Sequence, residues 1–195
     1  METPAQPLRA DARRNREAIV AAARAVFAES GLDVPLDAIA RRAGVGRGTL
    51  YRRFPTRDDL VAAIHEDNLE ALERVASESR DPDRALVDIL ASAAGMLAAD
   101  RGFVEYLRRQ PGVSQITQHV DERFLAIIDK PLRRAKRAGI VRRGLRAADV
   151  LLVVDMLGGA AIASGADRHE GRVLRALDLL LDGLRPRPRS DPDQP

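Results

Sequence analysis

LDAIARRAGVGRGTLYRRFPTR, residues 36 to 57, contains two short amphipathic segments separated by a glycine turn. In the first segment, apolar residues recur at helical spacing on one face: Leu36, Ile39, Ala40 and Ala43. Gly44 follows at the position where helices commonly end in a left-handed residue. In the second segment, Leu50 and Phe54 lie four residues apart and face inward, and Pro55 ends the helix. The stretch therefore predicts a helix-turn-helix.

The outer face of the second predicted helix is polar and cationic. It carries Arg47, Thr49, Arg52 and Arg53. Two helices crossed over a tight turn present the N-terminal side chains of the second helix to base edges in a DNA major groove. Because arginine is the usual partner of guanine, Arg47 is predicted to read a base, whereas Arg57 is predicted to contact phosphate. Tyr51 and Thr49 are predicted to contact a phosphate or a thymine methyl, and for Tyr51 packing inside the domain is the third open role.

The same stretch resembles the DNA-binding domain of the tetracycline-repressor (TetR) family over residues 15 to 65. The resemblance rests on Ile39-Ala40, Ala43-Gly44-Val45, Gly48-Thr49-Leu50-Tyr51, Phe54-Pro55 and Asp59-Leu60. Three positions depart from the family pattern: Pro35 stands where Thr is frequent, Gly46 where Ser is frequent, and Arg57 where Lys is usual. The resemblance implies DNA contact by Arg47, Gly48, Thr49, Tyr51, Arg52, Arg53 and Arg57.

Charge is unevenly distributed along the 195 residues. Residues 1 to 57 contain 11 arginines against 6 acidic residues, whereas residues 58 to 195 contain 21 basic against 23 acidic residues. A positive excess confined to the helix-turn-helix is typical of polyanion binding. With no cysteine, no disulfide or cysteine-type metal site is expected. The chain has neither a signal-peptide core nor an apolar run of roughly 20 residues, so we expect a cytoplasmic protein that does not contact the membrane.

Helical periodicity predicts an all-α chain. An apolar stripe marks the first helix: Ile19, Ala23, Val26 and Phe27. This helix is predicted to run from about Asp11 to Ser30 and to end at Gly31. Thr56 and Asp59 have capping-box spacing and begin a long helix. Asp81-Pro82 predicts another helix start, which indicates a domain boundary near residue 80.

Four segments are therefore expected. Residues 1–10 form a disordered arm, 11–80 the helix-turn-helix domain with its connecting helix, 81–185 a ligand-binding and dimerisation domain, and 186–195 a disordered tail. The arginines near the N-terminus either follow DNA phosphates or keep a flexible arm soluble.

In the C-terminal half, apolar residues on neighbouring predicted helices either line a ligand cavity or fill an ordinary core. They are Met96, Phe103, Tyr106, Phe124, Ile128 and Met156. The TetR resemblance favours a cavity, because such proteins usually release DNA on binding a small molecule, here expected to be largely apolar. Pro131 is expected to bend its helix and leave space beside it.

The segment from Val150 to Ile162 is apolar on all sides apart from Asp155, so it lacks the polar stripe of a surface helix. One side is expected to face the C-terminal core, and a final helix from about Glu170 to Leu184 covers the other together with a second copy of the chain. The predicted dimer contact comprises Val150, Leu157, Gly158, Gly159, Val173, Leu177 and Leu181. Its small residues fit a close dimer contact and a tightly packed single core equally well.

Neither a metal site nor an enzyme is indicated. His65, His119 and His169 are far apart and lack the glutamate spacing of metal sites, so surface or pocket positions are expected. The sequence contains no phosphate-binding glycine loop, nucleophile elbow or dinucleotide fingerprint. No cofactor is expected.

The expected function is transcriptional regulation by a homodimer that binds a palindromic operator as a repressor and is released by a small molecule. Two alternatives remain open. The first is a DNA-binding regulator without a ligand. The second is a helical enzyme or carrier that uses the C-terminal pocket.

Overall fold

The fold is all-α, as the periodicity predicts. The computed structural model describes residues 5–31, 33–99, 115–163 and 169–186, and within these ranges it contains helices and no strand. In chain order, they are α1 (Ala5–Ser30), α2 (Leu36–Ala43), α3 (Arg47–Arg53), α4 (Arg57–Glu78), α5 (Ala85–Ala99), α6 (Gln115–Arg137), α7 (Ala147–Ile162) and α8 (His169–Leu184). The expected tail from residue 187 onward lies outside the described residues.

The chain divides into two compact units, and the division falls between Asn68 and Leu69, inside α4. Sequence pattern places the boundary near residue 80 instead, close to the end of α4. The observed division comes earlier because Leu69 and Leu72 are buried in the core of the second unit. We call the two units the N-terminal unit and the C-terminal unit; Ile116, in the first turn of α6, groups with the N-terminal unit.

Helix α1 begins at Ala5, before the predicted start at Asp11, so residues 5–10 are helical and do not form a disordered arm. Pro7 lies in the first turn, where its missing backbone N–H removes no helical hydrogen bond. The predicted apolar stripe is buried: Ile19, Ala23, Val26 and Phe27. With this stripe inward, α1 packs against α2.

Both predicted glycine caps are confirmed. Gly31 has φ 75° and Gly44 has φ 67°, in the left-handed region that favours glycine. After α2, the Gly44 N–H donates to the Arg41 carbonyl at 3.2 Å, and the Val45 N–H donates to the Ala40 carbonyl at 3.1 Å. This pair of bonds is a Schellman motif, and it reverses the chain immediately before α3.

The capping box at the start of α4 is also confirmed. The Asp59 N–H donates to Thr56 Oγ1 at 3.2 Å, while the Thr56 N–H donates to Asp59 Oδ2 at 2.8 Å. Between the two caps, Leu50 and Phe54 are buried as predicted, together with Ile39 of α2. The helix-turn-helix therefore has a core of its own between two defined helix ends.

The C-terminal unit has one core, formed where α5 packs on α7 and α8 and these two pack on each other. Phe124 and Ile128 of α6 also belong to it. The loop after α6 is fastened to the end of α8, because the Arg142 N–H donates to the Leu184 carbonyl at 2.8 Å. No described helix is long and apolar enough to cross a membrane.

The predicted dimer residues need correction. Five of the seven are buried inside a single chain: Val150, Leu157, Gly158, Val173 and Leu177. Only Gly159 and Leu181 are half-buried. Because α7 is apolar all round, periodicity does not distinguish the face toward its own core from the outer face. The large apolar side chains exposed on the described residues of α7 and α8 are instead Leu152, Met156, Leu174 and Leu179.

His65 is buried in the N-terminal unit and not at the surface, with 6% of its area exposed. Burial and, secondarily, the neighbouring positive charge of Arg24 lower the pKa of His65 from 6.5 to about 3. The imidazole is therefore neutral in the folded protein near pH 7.

We expect Gly44→Ala to lower the free energy of unfolding of the N-terminal unit by about 1 to 2 kcal/mol, because an alanine in the left-handed region is strained. The matched control is Gly48→Ala in α3. An added Cβ meets no atom within 4 Å at either glycine, so the two sites differ in backbone conformation and not in space. Gly48→Ala should raise stability by roughly 0.5 to 1 kcal/mol. Urea denaturation followed by circular dichroism measures both; changes of the same sign would contradict the strain argument.

The low pKa of His65 makes stability depend on pH. The contribution is fully present above pH 6.5 and is lost as the pH falls toward 3, because the unfolded chain binds a proton that the folded chain does not. Between pH 7 and pH 5 we expect the unfolding free energy to fall by about 2 kcal/mol from this group. In urea titrations, His65→Gln should remove that part of the slope. His119→Gln, at an exposed histidine, is the control for loss of an imidazole, and equal slopes in wild type and His65→Gln would refute the assignment.

Candidate nucleic-acid interface

Helix α3 presents a cationic surface with little side-chain bulk at its start. Arg47, Gly48, Arg52 and Arg53 are exposed, while Leu50 on the opposite side is completely buried. Around Gly48, a Cβ would meet open space. Thr49 is half-buried. A surface of this kind allows the backbone of another molecule to approach the first turn of α3 closely.

An aspartate of α2 holds two of the predicted DNA-binding side chains. Asp37 Oδ2 lies 2.6 Å from the Arg47 guanidinium, and the Tyr51 hydroxyl donates to Asp37 Oδ1 at 3.3 Å. The Arg47 side chain is still 72% exposed, so this ion pair restrains the guanidinium without covering it. Sequence reasoning missed Asp37, because the turn at Gly44 brings the two helices together and helical spacing carries no signal for a contact across it.

Tyr51 itself is 41% exposed. This exposure argues against the option that it packs inside the domain. Its hydroxyl points to the same carboxylate as Arg47, so both side chains share one anchor on the outer surface.

Most arginines of the N-terminal unit are engaged within the unit. Arg42 forms a bidentate salt bridge with Glu29, with N–O distances of 2.7 and 2.8 Å, and this pair links α2 to α1. Arg16 donates to Asp67 at 2.8 Å, tying α1 to α4. Arg24 donates to the Asn68 side chain at 2.8 Å and to the Ile64 carbonyl at 3.1 Å, a second link between these helices.

Among the described residues of the N-terminal unit, three arginines make no ion pair with any carboxylate: Arg41, Arg52 and Arg53. They lie on α2 and α3, the two helices of the predicted DNA-binding motif. The positive excess of the N-terminal region is therefore reduced by internal contacts to a smaller set of free charges, concentrated at the helix-turn-helix.

Arg57 has a structural contact that its sequence position does not show. Its guanidinium donates to the Val34 carbonyl at 2.8 Å and lies 4.0 Å from Asp33. The side chain is 29% exposed. The Arg57 side chain therefore stabilises the segment that precedes α2, and part of its guanidinium remains in contact with solvent.

Two departures from the TetR pattern have structural consequences. Pro35 and Gly46 occupy the N-cap positions of α2 and α3, and neither helix has a side-chain cap. The backbone provides the first bonds instead, from the Ala38 N–H to the Pro35 carbonyl and from the Thr49 N–H to the Gly46 carbonyl, both at 2.9 Å. The other N–H groups of these two first turns receive no side-chain acceptor from the N-cap residue.

The predicted ligand-pocket residues do not form one group. Phe124 and Ile128 are buried in the C-terminal core, Met96 packs against that core, and Met156 is 44% exposed. Phe103 and Tyr106 lie outside the described residues. Across the described residues, no group of three or more His, Asp or Glu side chains is arranged to hold a metal ion.

A short cationic helix presented by a left-handed glycine turn defines a helix-turn-helix DNA-binding protein. Comparison with known proteins agrees. The family model described as "Bacterial regulatory proteins, tetR family" matches residues 19–64, and the model "Transcriptional regulator SbtR-like, C-terminal domain" matches residues 81–186.

Solved structures support the same assignment over nearly the whole chain. A TetR transcription regulatory protein from Mycobacterium vanbaalenii is 33% identical with a TM-score of 0.67, covering 92% of this chain and 100% of that one. The TetR transcriptional regulator SCO0520 from Streptomyces coelicolor is 32% identical with a TM-score of 0.64, covering 89% of this chain and 99% of that one.

A curated relative, an uncharacterized HTH-type transcriptional regulator of Mycobacterium bovis, is 31% identical over 130 residues, which are 65% of this chain and 69% of the relative. The chain belongs to the TetR family. It is a transcriptional regulator with a helix-turn-helix DNA-binding domain, and its family is not one of enzymes.

Proposed function

We propose that this regulator is a cytoplasmic repressor that binds a palindromic operator as a homodimer and is released by a small molecule bound to the C-terminal unit. Each N-terminal unit would occupy one half-site, which requires the two α3 helices to be about 34 to 36 Å apart, or a multiple of that distance. The observation that carries the DNA-binding part is the exposed Arg47 guanidinium, held from one side by Asp37.

Arg47 is assigned to base reading because of where it is held. It is the first residue of α3, the end of a recognition helix that enters the major groove. A guanidinium has five N–H donors, so the contact with Asp37 leaves donors for the O6 and N7 atoms of a guanine. The Asp37 carboxylate also repels phosphate, and it therefore favours a base over the DNA backbone as the second contact.

The remaining residues are assigned to contacts that position the protein on the DNA. The open backbone at Gly48 allows DNA to approach, and Arg52 and Arg53 have no acidic partner among the described residues to give up. Phosphates are the expected targets of both, as they are for Arg57 and for the Thr49 hydroxyl. Tyr51, which shares Asp37 with Arg47, is assigned to a phosphate or a thymine methyl.

The dimer is assigned to the outer surface of α7 and α8. Leu152 is 55% exposed and Met156 is 44% exposed, four residues apart on α7; on α8, Leu174 is 44% and Leu179 is 57% exposed. Exposed apolar side chains on two adjacent helices are what a self-complementary contact with a second copy would bury. Gly159 and Leu181, both half-buried, fit the margin of the same contact.

The DNA-binding assignment predicts opposite effects for two neighbouring substitutions. Arg47→Ala should weaken binding to the cognate operator by about 1 to 3 kcal/mol per half-site and leave non-cognate binding nearly unchanged. Asp37→Asn should instead strengthen binding to non-cognate DNA by roughly fivefold, about 1 kcal/mol, because it removes a charge that repels phosphate. Operators are first selected from genomic fragments, and affinities are then measured by fluorescence anisotropy at fixed salt.

Asp58→Asn is the matched control, because it removes the same charge from an exposed position of another helix in the same unit. If Asp58→Asn and Asp37→Asn have equal effects, net charge explains the result and Asp37 has no special role. If Arg47→Ala weakens cognate and non-cognate binding equally, Arg47 contacts phosphate and does not read a base. Failure to recover any bound fragment would refute operator binding itself.

The dimer assignment predicts that Leu152→Glu with Met156→Glu yields folded monomers that lose operator affinity. The added carboxylates face solvent in a monomer, so the helix content should be kept, whereas a dimer would have to bury them unpaired. Ala148→Glu adds the same group at another exposed position of α7 and should remain dimeric. Sedimentation velocity measures the mass, and a wild-type protein of 21.3 kDa in solution would rule out the dimer.

A further inference from the structure

An open groove of about 610 Å³ lies in the C-terminal unit, apart from the buried core. It runs between the end of α4, the start of α5 and one face of α6. Its lining residues are Glu73, Ala76, Ser77, Ser79, Pro82, Ala85, Arg123, Ala126, Ile127, Lys130, Pro131 and Arg134. The volume is within the range of small-molecule sites, roughly 300 to 1,000 Å³.

The groove has an excess of positive charge, since Arg123, Lys130 and Arg134 line it against one carboxylate, Glu73. One of its lining cations, Arg123, is paired with Glu73. Lys130 and Arg134 make no ion pair with any carboxylate that the structure describes. They are one helical turn apart on α6, roughly 6 Å along the axis, so both can reach a single anionic group.

The remaining surface of the groove is largely apolar. Three alanines line it, Ala76, Ala85 and Ala126, together with Ile127 and Pro131. The serine hydroxyls are already engaged, since Ser77 donates to the Arg74 carbonyl at 2.9 Å and Ser79 contacts Asp88 at 2.6 Å. An occupant therefore needs an apolar body beside its charge.

Pro131 leaves one backbone carbonyl of α6 without its usual helical donor. It lies inside α6, and because proline has no N–H, it makes no helical hydrogen bond to the carbonyl of Ile127, four residues earlier. Both residues line the groove. The expected space beside the proline is thus present, and it brings together two cations without a carboxylate partner among the described residues, an apolar surface and a carbonyl without its usual helical donor.

We infer that this groove binds an organic carboxylate with an apolar body, with Lys130 and Arg134 as the two contacts of the carboxylate. The role of this groove as the effector site of the regulator rests on the proposed function. It differs from the expectation of a largely apolar effector, because the predicted aromatic and methionine lining is not what surrounds this groove. Charge, and not hydrocarbon area alone, then decides which molecules bind.

The test compares two probes of equal chain length, decanoate and the neutral 1-decanol, with the full-length protein by isothermal titration calorimetry. Decanoate should bind at least tenfold more tightly than decanol, since two charge-assisted contacts distinguish them. Lys130→Gln with Arg134→Gln should weaken decanoate binding by about tenfold or more and leave decanol binding unchanged. Restoring charge with Lys130→Arg and Arg134→Lys should recover decanoate binding.

Arg133→Gln is the control on the same helix. Arg133 is 63% exposed, pairs with Asp129 and does not line the groove, so its replacement should leave decanoate affinity unchanged. Equal affinity for the two probes, or a double glutamine variant that binds decanoate like the wild type, overturns the inference. A variant that fails to fold would be recognised by its circular dichroism, and the single variants Lys130→Gln and Arg134→Gln then decide.

A DNA readout separates this inference from the proposed function. Decanoate should lower operator affinity in the wild type and in Arg133→Gln, but not in the double glutamine variant. If decanoate binds through Lys130 and Arg134 while operator affinity stays the same, the carboxylate site stands and its effector role is refuted. If no operator is found at all, the proposed repressor fails, whatever the calorimetry shows.

Discussion

The left-handed backbone at Gly44 is the constraint on which the DNA-binding surface depends. Its positive φ and the two Schellman hydrogen bonds turn the chain between α2 and α3 within a few residues. This turn places Arg47 and Tyr51 of α3 beside Asp37 of α2. The same turn directs Leu50 and Phe54 into the core. A local backbone conformation thus determines both what is buried and what remains available for DNA.

Local features of this fold are predictable from sequence, because their causes lie within a few residues of each other. The glycine ends of α1 and α2, the capping box of Thr56 and Asp59, and the burial of Leu50 all follow from short-range spacing and were confirmed. The helix-turn-helix and its family were recognisable for the same reason, since one stretch carries the whole pattern.

Features that depend on contacts across the fold were not predictable. Asp37 has no spacing that marks it as the anchor of Arg47, and the Val34 carbonyl gives no sequence signal as the acceptor for Arg57. In α7, Val150 and Leu152 look alike in sequence, but one is fully buried and the other is 55% exposed. Neither the hydrophobic pattern nor the composition determines which of the two residues is buried, because that depends on the helices that pack against α7. The candidate groove was likewise suggested only by Pro131, and its cations became visible through the fold.

The position of the unit boundary inside α4 determines where this DNA-binding unit can be joined to the sensing unit of another regulator. A junction in the loop after α4, the natural choice from sequence, would separate Leu69 and Leu72 from the core in which they are buried. A junction before Asn68 would remove the acceptor of Arg24. Chimeras that combine this DNA-binding unit with another sensing unit should therefore be spliced within the helix, after Asn68 and in helical register. Recombination between genes of such regulators should preserve function only when the crossover falls at the same position in α4.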